Sequence, residues 1–261
     1  MGSRRVLALD YGAQSGRGVV GTLEHDRLSL EVIHRFDNEA ISMGRGRYWD
    51  TPALLESART AVAIAAEQPL DSVAIDAWGV DFGLIDAAGE LVTLPWSYRD
   101  ERTTGIVETV EQALPDLDPY GATGIQTMRI NSLYQLWAQR SQSPWVLDAA
   151  ARLLTIPDLL GYWLSGVAFN EMTAASTTQL LSAATREWAW PLIDALGFPR
   201  RIFGDTVEPG TVIGPLAGVD VATSATSFVA TASHDTAAAV AGSLALRADT
   251  AFISSGSWCL V

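Results

Sequence analysis

The segment Val6-Leu7-Ala8-Leu9-Asp10-Tyr11-Gly12-Ala13-Gln14-Ser15-Gly16-Arg17 constrains this chain more than any other. Its apolar opening reads as a buried strand that ends on a carboxylate, a turn of small residues and an arginine. Gly18-Val19-Val20-Gly21-Thr22-Leu23 reads as a second strand, so the turn is the tip of a hairpin. Such a tip presents backbone N–H groups and short hydroxyl or amide side chains to one point in space. Phosphate oxygens fit there, with Asp10 placed to hold a metal ion beside them. The same residues also describe a tight hairpin with a solvated Asp10 and Arg17, and partners far down the chain decide between the two.

Several chemistries are excluded early. Gly16-Arg17-Gly18-Val19-Val20-Gly21 matches G-x-G-x-x-G, yet it runs into β-branched residues and a strand instead of opening a helix, so it is no dinucleotide fingerprint. In Gly12-Ala13-Gln14-Ser15-Gly16 the serine sits one place too far along for a nucleophile elbow, which leaves a serine hydrolase unsupported. All 17 basic residues are arginine, so neither a Walker A lysine nor a Schiff-base lysine is available. A formal charge of −13 repels nucleic acid and anionic membrane alike. One cysteine, Cys259, rules out an internal disulfide, and no Cys/His spacing suits zinc. With no run long enough to span a membrane and no secretory leader pattern, the expected compartment is the cytoplasm.

The 261 residues suffice for one large domain or two small ones. A third strand is expected over Leu28 to Phe36, a loop over Asn38 to Arg47, and a helix opened by Pro52 behind an Asp50 or Thr51 cap. Ser72 to Trp78 reads as a buried strand, and Phe82 to Asp86 with Glu90 to Leu94 as a further hairpin. Helical periodicity comes next, over Thr103 to Ala113, Ser132 to Arg140, Pro144 to Leu154, Pro157 to Trp163, Ala175 to Ala184 and Pro191 to Leu196. Thr226 to Ala232 returns to strand, Thr236 to Leu246 is a small-residue helix, and Ala251 to Ser255 a last strand. Three strands, a helix and another strand is the opening order of a ribonuclease-H-like lobe of the actin-like ATPase superfamily. The expected class is therefore α/β, a mixed sheet with added helices.

Three further stretches carry chemistry. In Ala74-Ile75-Asp76-Ala77-Trp78-Gly79-Val80-Asp81-Phe82, Trp78 offers a flat face to sugar C–H groups and Gly79 lets a ligand approach the backbone. A packed tryptophan beside a turn glycine is the plainer alternative, with Asp76 and Asp81 as structural acceptors. In Ser233-His234-Asp235-Thr236 a carboxylate stands where a strand gives way to a helix. Asp235 there is either a simple N-cap or a base for a substrate hydroxyl that attacks phosphorus. His234 either contacts a sugar hydroxyl or packs. Ser254-Ser255-Gly256-Ser257-Trp258 is a second small-residue turn that would complete a phosphate clamp.

Together these stretches resemble the FGGY family of carbohydrate kinases, and within it the rhamnulokinase branch. The resemblance runs through Asp10 to Arg17, Ile75 to Phe82, Tyr98-Arg99-Asp100-Glu101-Arg102-Thr103, Thr123-Gly124-Ile125-Gln126 and Asn131-Ser132-Leu133-Tyr134-Gln135-Leu136. It continues through Ile156-Pro157-Asp158, Thr177-Thr178-Gln179-Leu180, Pro209-Gly210, His234-Asp235-Thr236 and Ser254 to Trp258, in family order over nearly the whole chain. By that resemblance Asp235 is the proton acceptor, and Trp78, Gly79, His234, Asp235 and Thr236 lie at a ketose. Ala13, Gln14, Ser15, Gly16, Arg17 and Ser257 lie at ATP, and Asp10 holds Mg²⁺ through water. The implied reaction moves the γ-phosphoryl of ATP to the C1 hydroxyl of L-rhamnulose. Tyr11, Gln14, Ala77, Ser257 and Thr127 to Ile130 depart from the family pattern, which leaves xylulose-, fuculose- or ribulose-type ketoses open. A catalytically silent sugar-binding lobe is the alternative from another class, and a glycosidase using two of Asp10, Asp76, Asp81 and Asp235 a distant third.

FGGY kinases have two similar lobes with the nucleotide between them. Residues 1–246 are expected to form the N-terminal, sugar-binding lobe and 247–261 the beginning of the C-terminal, nucleotide lobe, with the remainder absent. On that expectation the partners are a small-molecule ketose, ATP and the missing lobe, and the isolated piece has little or no kinase activity.

Overall fold

The computed structural model describes residues 3–220, 225–243, 249–255 and 259–260. Alternation of apolar and polar residues dictates the first three strands, β1 (Arg4–Tyr11), β2 (Ser15–Glu24) and β3 (Arg27–Asp37). Leu7, Leu9 and Tyr11 point into the core, so Ala8 and Asp10 point to the opposite face. A short hairpin, β4 (Ala40–Met43) and β5 (Gly46–Trp49), replaces the loop expected over Asn38 to Arg47. The ribbon is largely exposed except where Trp49 anchors it, so its strands, Ala40-Ile41-Ser42-Met43 and Gly46-Arg47-Tyr48-Trp49, carry no buried alternation to announce them. Helix α1 (Thr51–Ala65) starts at Asp50, whose side chain accepts from the Ala53 N–H at 3.1 Å. Its buried Leu54, Ala58, Ala61, Val62 and Ala65 form one stripe at helical spacing.

Strand β6 (Ser72–Ala77) runs parallel beside β1. Strand β7 (Phe82–Ile85) comes next, and its main partner is not the segment after the Gly89 turn. It pairs with β8 (Arg152–Thr155), while Ile85 and Leu91 keep only an isolated bridge. Between them lie α2 (Ile106–Ala113), α3 (Pro119–Thr123), α4 (Ser132–Gln142) and α5 (Pro144–Ala149). The helix expected from Pro144 to Leu154 therefore stops early, since Leu153 and Leu154 are drawn into sheet pairing with Gly83 and Leu84.

Helix α6 (Ile156–Ser165) is followed by β9 (Asn170–Glu171), α7 (Met172–Ser176), α8 (Trp190–Ala195), β10 (Thr206–Val207) and β11 (Thr211–Pro215). Strand β12 (Ser227–Ala230) leads to α9 (Asp235–Ala241), and a last pair joins β13 (Ser254–Ser255) to β14 (Cys259–Leu260). The helix expected from Ala175 is thus five residues long and starts at Met172; Gln179, with φ +59°, has left helical space.

The principal sheet has the order β11-β12-β6-β1-β2-β3. Strands β1, β6 and β12 are parallel to one another, and the outer strands are antiparallel to their neighbours. Helices α1 and α6 cover one face, burying Leu7, Leu9, Ile75, Leu160, Leu164 and Phe228 in a common core. A second core, around Leu133, Leu136, Leu153, Leu180 and Ile193, is built by the helices inserted after β6. This is the mixed α/β architecture with added helices that the order of elements implied.

Asp158 lies fully buried near the start of α6, accepting from the Thr155 hydroxyl at 2.7 Å and the Glu171 N–H at 3.2 Å. Loss of hydration pushes its carboxyl up to about 8, the negative field of Glu171 adds to this, and the hydrogen bonds oppose it. A carboxyl raised in the folded state favours folding most below its unfolded pKa of about 3.9. That contribution is lost as pH rises toward about 8. The unfolding free energy of wild type minus that of Asp158→Asn is therefore expected to fall steadily across this window. Denaturant titrations of both proteins at several pH values check it, and a flat difference contradicts it.

Candidate active site

The parallel strands β1, β6 and β12 end at the same edge of the sheet, so the segments that leave them open toward one place. In register across the strands stand Asp76 on β6, Asp10 on β1, Arg17 on β2 and Arg35 on β3. Facing residues share a side of the sheet, so two carboxylates and two guanidinium groups form a single row on the face opposite α1. Arg17 closes on Asp10, with Nε at 2.8 Å and Nη2 at 2.6 Å from Oδ2. Both are partly exposed, and a crevice of about 510 Å³ runs along Asp10, Gly12, Ser15, Arg17 and Arg35.

The hairpin tip is held from outside. The Asn38 N–H donates to the Gln14 carbonyl at 2.9 Å, its side-chain Nδ2 donates to the Gly12 carbonyl at 2.8 Å, and the Gly12 N–H donates to the Ser15 carbonyl at 2.8 Å. The Gly12, Gln14 and Ser15 carbonyls are thus engaged, whereas among the described residues no acceptor meets the N–H groups of Ala13 and Gln14. Free donors at a bend are what an anion needs. Gly16 has a local packing reason: a Cβ there would lie 2.2 Å from the Phe36 ring. Tyr11, one of the departures from the family pattern, is buried with its hydroxyl on the Leu54 carbonyl at 3.1 Å.

Asp235 is the first residue of α9, with His234 before it bridged in parallel to Ala77 at the end of β6. The Ala77 N–H donates to the Ser233 carbonyl at 2.9 Å, which continues the strand pairing into the segment that carries Asp235. The Asp235 side chain is partly exposed, and its Oδ1 accepts from the Thr236 N–H at 2.5 Å and the Thr236 hydroxyl at 3.1 Å. His234 Nε2 stands 3.3 Å from the same oxygen. Burial lowers the pKa of His234, with the negative charges of Asp235 and Glu171 opposing.

The half-buried Asp76 reports the convergence. Its carboxyl is raised well above the usual range, first by loss of hydration, then by Asp10 and Asp235, with Arg17 pulling the other way. Residues near the two ends of the chain therefore act on a common neighbour. Among the described residues no three metal-ligating side chains close on a single point. Asp10, partly exposed at the crevice and already sharing its carboxylate with Arg17, offers one oxygen-bearing group and no cage, which fits a hydrated divalent ion held through water.

At the Trp78–Asp81 turn the structure takes the packed alternative, not an open aromatic face. Trp78 is 5% exposed, its ring lies 4.4 Å from that of Trp49, and its indole N–H donates to Asp81 at 3.0 Å. Asp81 is wholly structural, accepting also from Trp49 Nε1, the Tyr98 N–H and Gln135 Nε2. Burial pushes it up to about 6 against the pull of these bonds. Val80 has φ +67°, a conformation that costs a β-branched residue on the order of 1–3 kcal/mol. Three bonds hold it: its N–H on the Thr177 hydroxyl at 2.9 Å, and its carbonyl receiving Ser132 Oγ at 2.6 Å and Gln135 Nε2 at 3.2 Å. Gly79 has no room for a side chain, since a Cβ would meet Thr177 at 2.8 Å.

Reading the sequence alone assigned no role to Asn38, Glu171, Thr173 or Thr177. Glutamate is not an ordinary helix cap, so Glu171 carried no such signal, and Thr177 entered only within a stretch shared with the family. Ser257, with Gly256 and Trp258, lies outside the described residues.

The family model for the N-terminal domain of FGGY carbohydrate kinases matches residues 5–242. The chain belongs to the FGGY family of carbohydrate kinases. It is 41% identical over 265 residues to a rhamnulokinase of Pectobacterium carotovorum subsp. carotovorum, a match covering 100% of this chain and 53% of the relative. A rhamnulokinase of Bacteroides thetaiotaomicron is 40% identical over 260 residues, covering 98% and 54%. Among solved structures, ligand-bound xylulose kinase from Lactobacillus acidophilus superposes with a TM-score of 0.77 at 16% identity, covering 89% of this chain and 48% of that one. Plasmodium falciparum glycerol kinase with ADP gives 0.68 at 14%, covering 87% and 48%. At such identities the two structures attest the shared FGGY fold alone. The chain spans about half the length of the relatives it matches. Among the described residues no helix is long and apolar enough to cross a membrane.

Removing the Asp235 charge in Asp235→Asn is expected to lower the pH at which Asp76 titrates, and removing Arg17 in Arg17→Met to raise it. Carboxyl-carbon NMR titration of Asp76 in the three proteins measures both shifts. An Asp76 midpoint indifferent to Asp235→Asn would show that the two carboxylates do not share the crevice.

Proposed function

We propose that this chain is the sugar-binding lobe of an ATP-dependent ketose kinase, with L-rhamnulose as the substrate and its C1 hydroxyl as the acceptor. The carrying observation is that the segment bearing Asp235 is bridged, through His234 and Ser233, to Ala77, next to Asp76, which stands in register beside Asp10 at the root of the hairpin tip. Phosphoryl transfer asks little covalent chemistry of a protein, and mostly positioning and charge neutralisation. The free N–H groups of Ala13 and Gln14, the Ser15 hydroxyl and Arg17 hold phosphate oxygens. Arg17 exchanges part of its bond with Asp10 for that contact, which frees Asp10 to hold Mg²⁺ through water. When bound, the magnesium ion offsets the phosphate charge.

Asp235 accepts the proton of the attacking hydroxyl. The Thr236 N–H and hydroxyl already hold its Oδ1, which fixes the carboxylate's aim. His234, whose pKa burial depresses, serves the ketose as a neutral hydrogen-bonding group. The backbone at Gly79 approaches the sugar, with Trp78 as the packed wall behind it. Ser257 contacts the nucleotide in this reading, with residues 1–246 forming the sugar-binding lobe and 247–261 belonging to the start of the next. The rhamnulokinase relatives at about 40% identity support the choice of sugar over the xylulose-, fuculose- and ribulose-type alternatives.

Asp235→Asn in the full-length protein that carries this chain is expected to lower kcat by about 10²–10⁴-fold, with sugar affinity roughly kept. Steady-state kinetics with calorimetry measure both, and unchanged turnover removes Asp235 as the base. A panel of ketoses ranks the substrates, and L-rhamnulose is expected to give the highest kcat/KM. The 261 residues on their own are expected to turn over little or not at all.

A further inference from the structure

The five-residue helix α7 touches both of the segments that the proposed reaction needs. At its start stands Glu171, fully buried, with one oxygen collecting four donors. Oε2 accepts from the Thr173 N–H at 2.9 Å, the Thr173 hydroxyl at 2.6 Å, the Ala174 N–H at 3.0 Å and the Ser233 N–H at 3.0 Å. The Thr173 hydroxyl in turn accepts from the His234 N–H at 3.2 Å. Two successive backbone amides just before Asp235 are thus clamped to a helix start some sixty residues earlier in the chain. At the other end, the Thr177 hydroxyl accepts from the Val80 N–H at 2.9 Å and donates to the Ala174 carbonyl at 2.8 Å. Its side chain also fills the space that any Cβ at Gly79 would take.

A short helix bonded at both ends behaves as a rigid spacer. One end fixes where the chain turns into α9 and so where Asp235 starts. The other end keeps Val80 at φ +67°, a state it holds only because its surroundings over-determine it. We propose that Glu171, Thr173 and Thr177 are positioning residues that make α7 a two-ended strut, setting the separation between Asp235 and the Gly79–Val80 turn. Thr173 governs turnover, because it acts through the base. Thr177 governs sugar affinity, because it acts through the turn. This inference rests on the ketose-kinase reading of the same crevice.

Isosteric substitutions test it without opening cavities. In the full-length protein, Thr173→Val is expected to lower kcat by about 10–100-fold, with KM for ATP within about twofold and KM for the ketose, which His234 contacts, raised by no more than about fivefold. Thr177→Val is expected to raise KM for the ketose by roughly tenfold while kcat stays within about threefold. Thr173→Ser and Thr177→Ser keep the hydroxyls and restore near-wild-type values. Amide hydrogen exchange supplies a readout independent of activity, with faster exchange at His234 in Thr173→Val and at Val80 in Thr177→Val. Valine variants that lose only thermal stability, with kcat, KM and both amides unchanged, would overturn the strut, as would serine variants as impaired as the valine ones. Asp235→Asn separates the two levels. If it is inactive while the threonine variants behave as wild type, the strut fails and the kinase reading stands. If it turns over as wild type does, Asp235 is not the base and the strut's catalytic role falls with it, while a wild-type protein that phosphorylates no ketose removes the kinase reading itself.

Discussion

The parallel pairing of β1, β6 and β12 is the constraint from which the site arises. Parallel strands end at the same edge, so residues separated by 66 and by more than 150 positions meet without any long-range signal between them. Register then sets the chemistry. Asp10 lies opposite Asp76 and Arg17 opposite Asp10, which brings like charges together on one side and a counter-charge on the other. A slip of one residue would turn all of these groups into the core packed against α1. The apolar Leu7, Leu9 and Tyr11 on the opposite face exclude that slip. The same alternation that makes the core therefore makes the site.

A second theme is the division between residues that meet solvent at the crevice and residues that hold them. Asp81 looks from its neighbours like a site residue, yet it is spent on two indoles, one backbone amide and Gln135. Asn131 and Gln179 bond each other at 2.8 Å, and Gln179 also holds the Ile125 carbonyl. Much of the resemblance along the chain thus falls on structural supports. Buried amides and carboxylates are costly unless satisfied, so each demands a particular partner and little substitution serves. Glu171 carries that logic to a cost: Oε1 has no partner among the described residues while Oε2 is crowded with donors. The crowding fixes the approach to α9.

The chain's own order shows where inference from sequence succeeded. Strands β1 to β3, helix α1 and strand β6 were legible because alternation, an Asp50 cap and Pro52 are local signals with local causes. Asp235 at the start of a helix after a strand was legible for the same reason. The β4–β5 hairpin, the stop of α5 and the brevity of α7 were not. In each case a distant partner decided: Trp96 against Tyr48, Gly83 and Leu84 against Leu153 and Leu154, and Asn131 against Gln179. Periodicity cannot see partners some fifty to seventy residues away.

Residue types and their spacing were enough to specify a hairpin tip suited to an anion, a carboxylate at a helix start, and the exclusion of lysine-dependent chemistry. These depend on side-chain identity and nearest neighbours, which a chain carries with it unfolded. That the segment carrying Asp235 is bridged to the end of β6 beside Asp76, that Trp78 is packed instead of open, and that α7 joins that segment to the strained Val80 turn arose only on folding. Each is a matter of which strand lies beside which and which buried donor finds which acceptor. Those pairings are settled by the free energy of the whole packed molecule, and no stretch of it contains them alone.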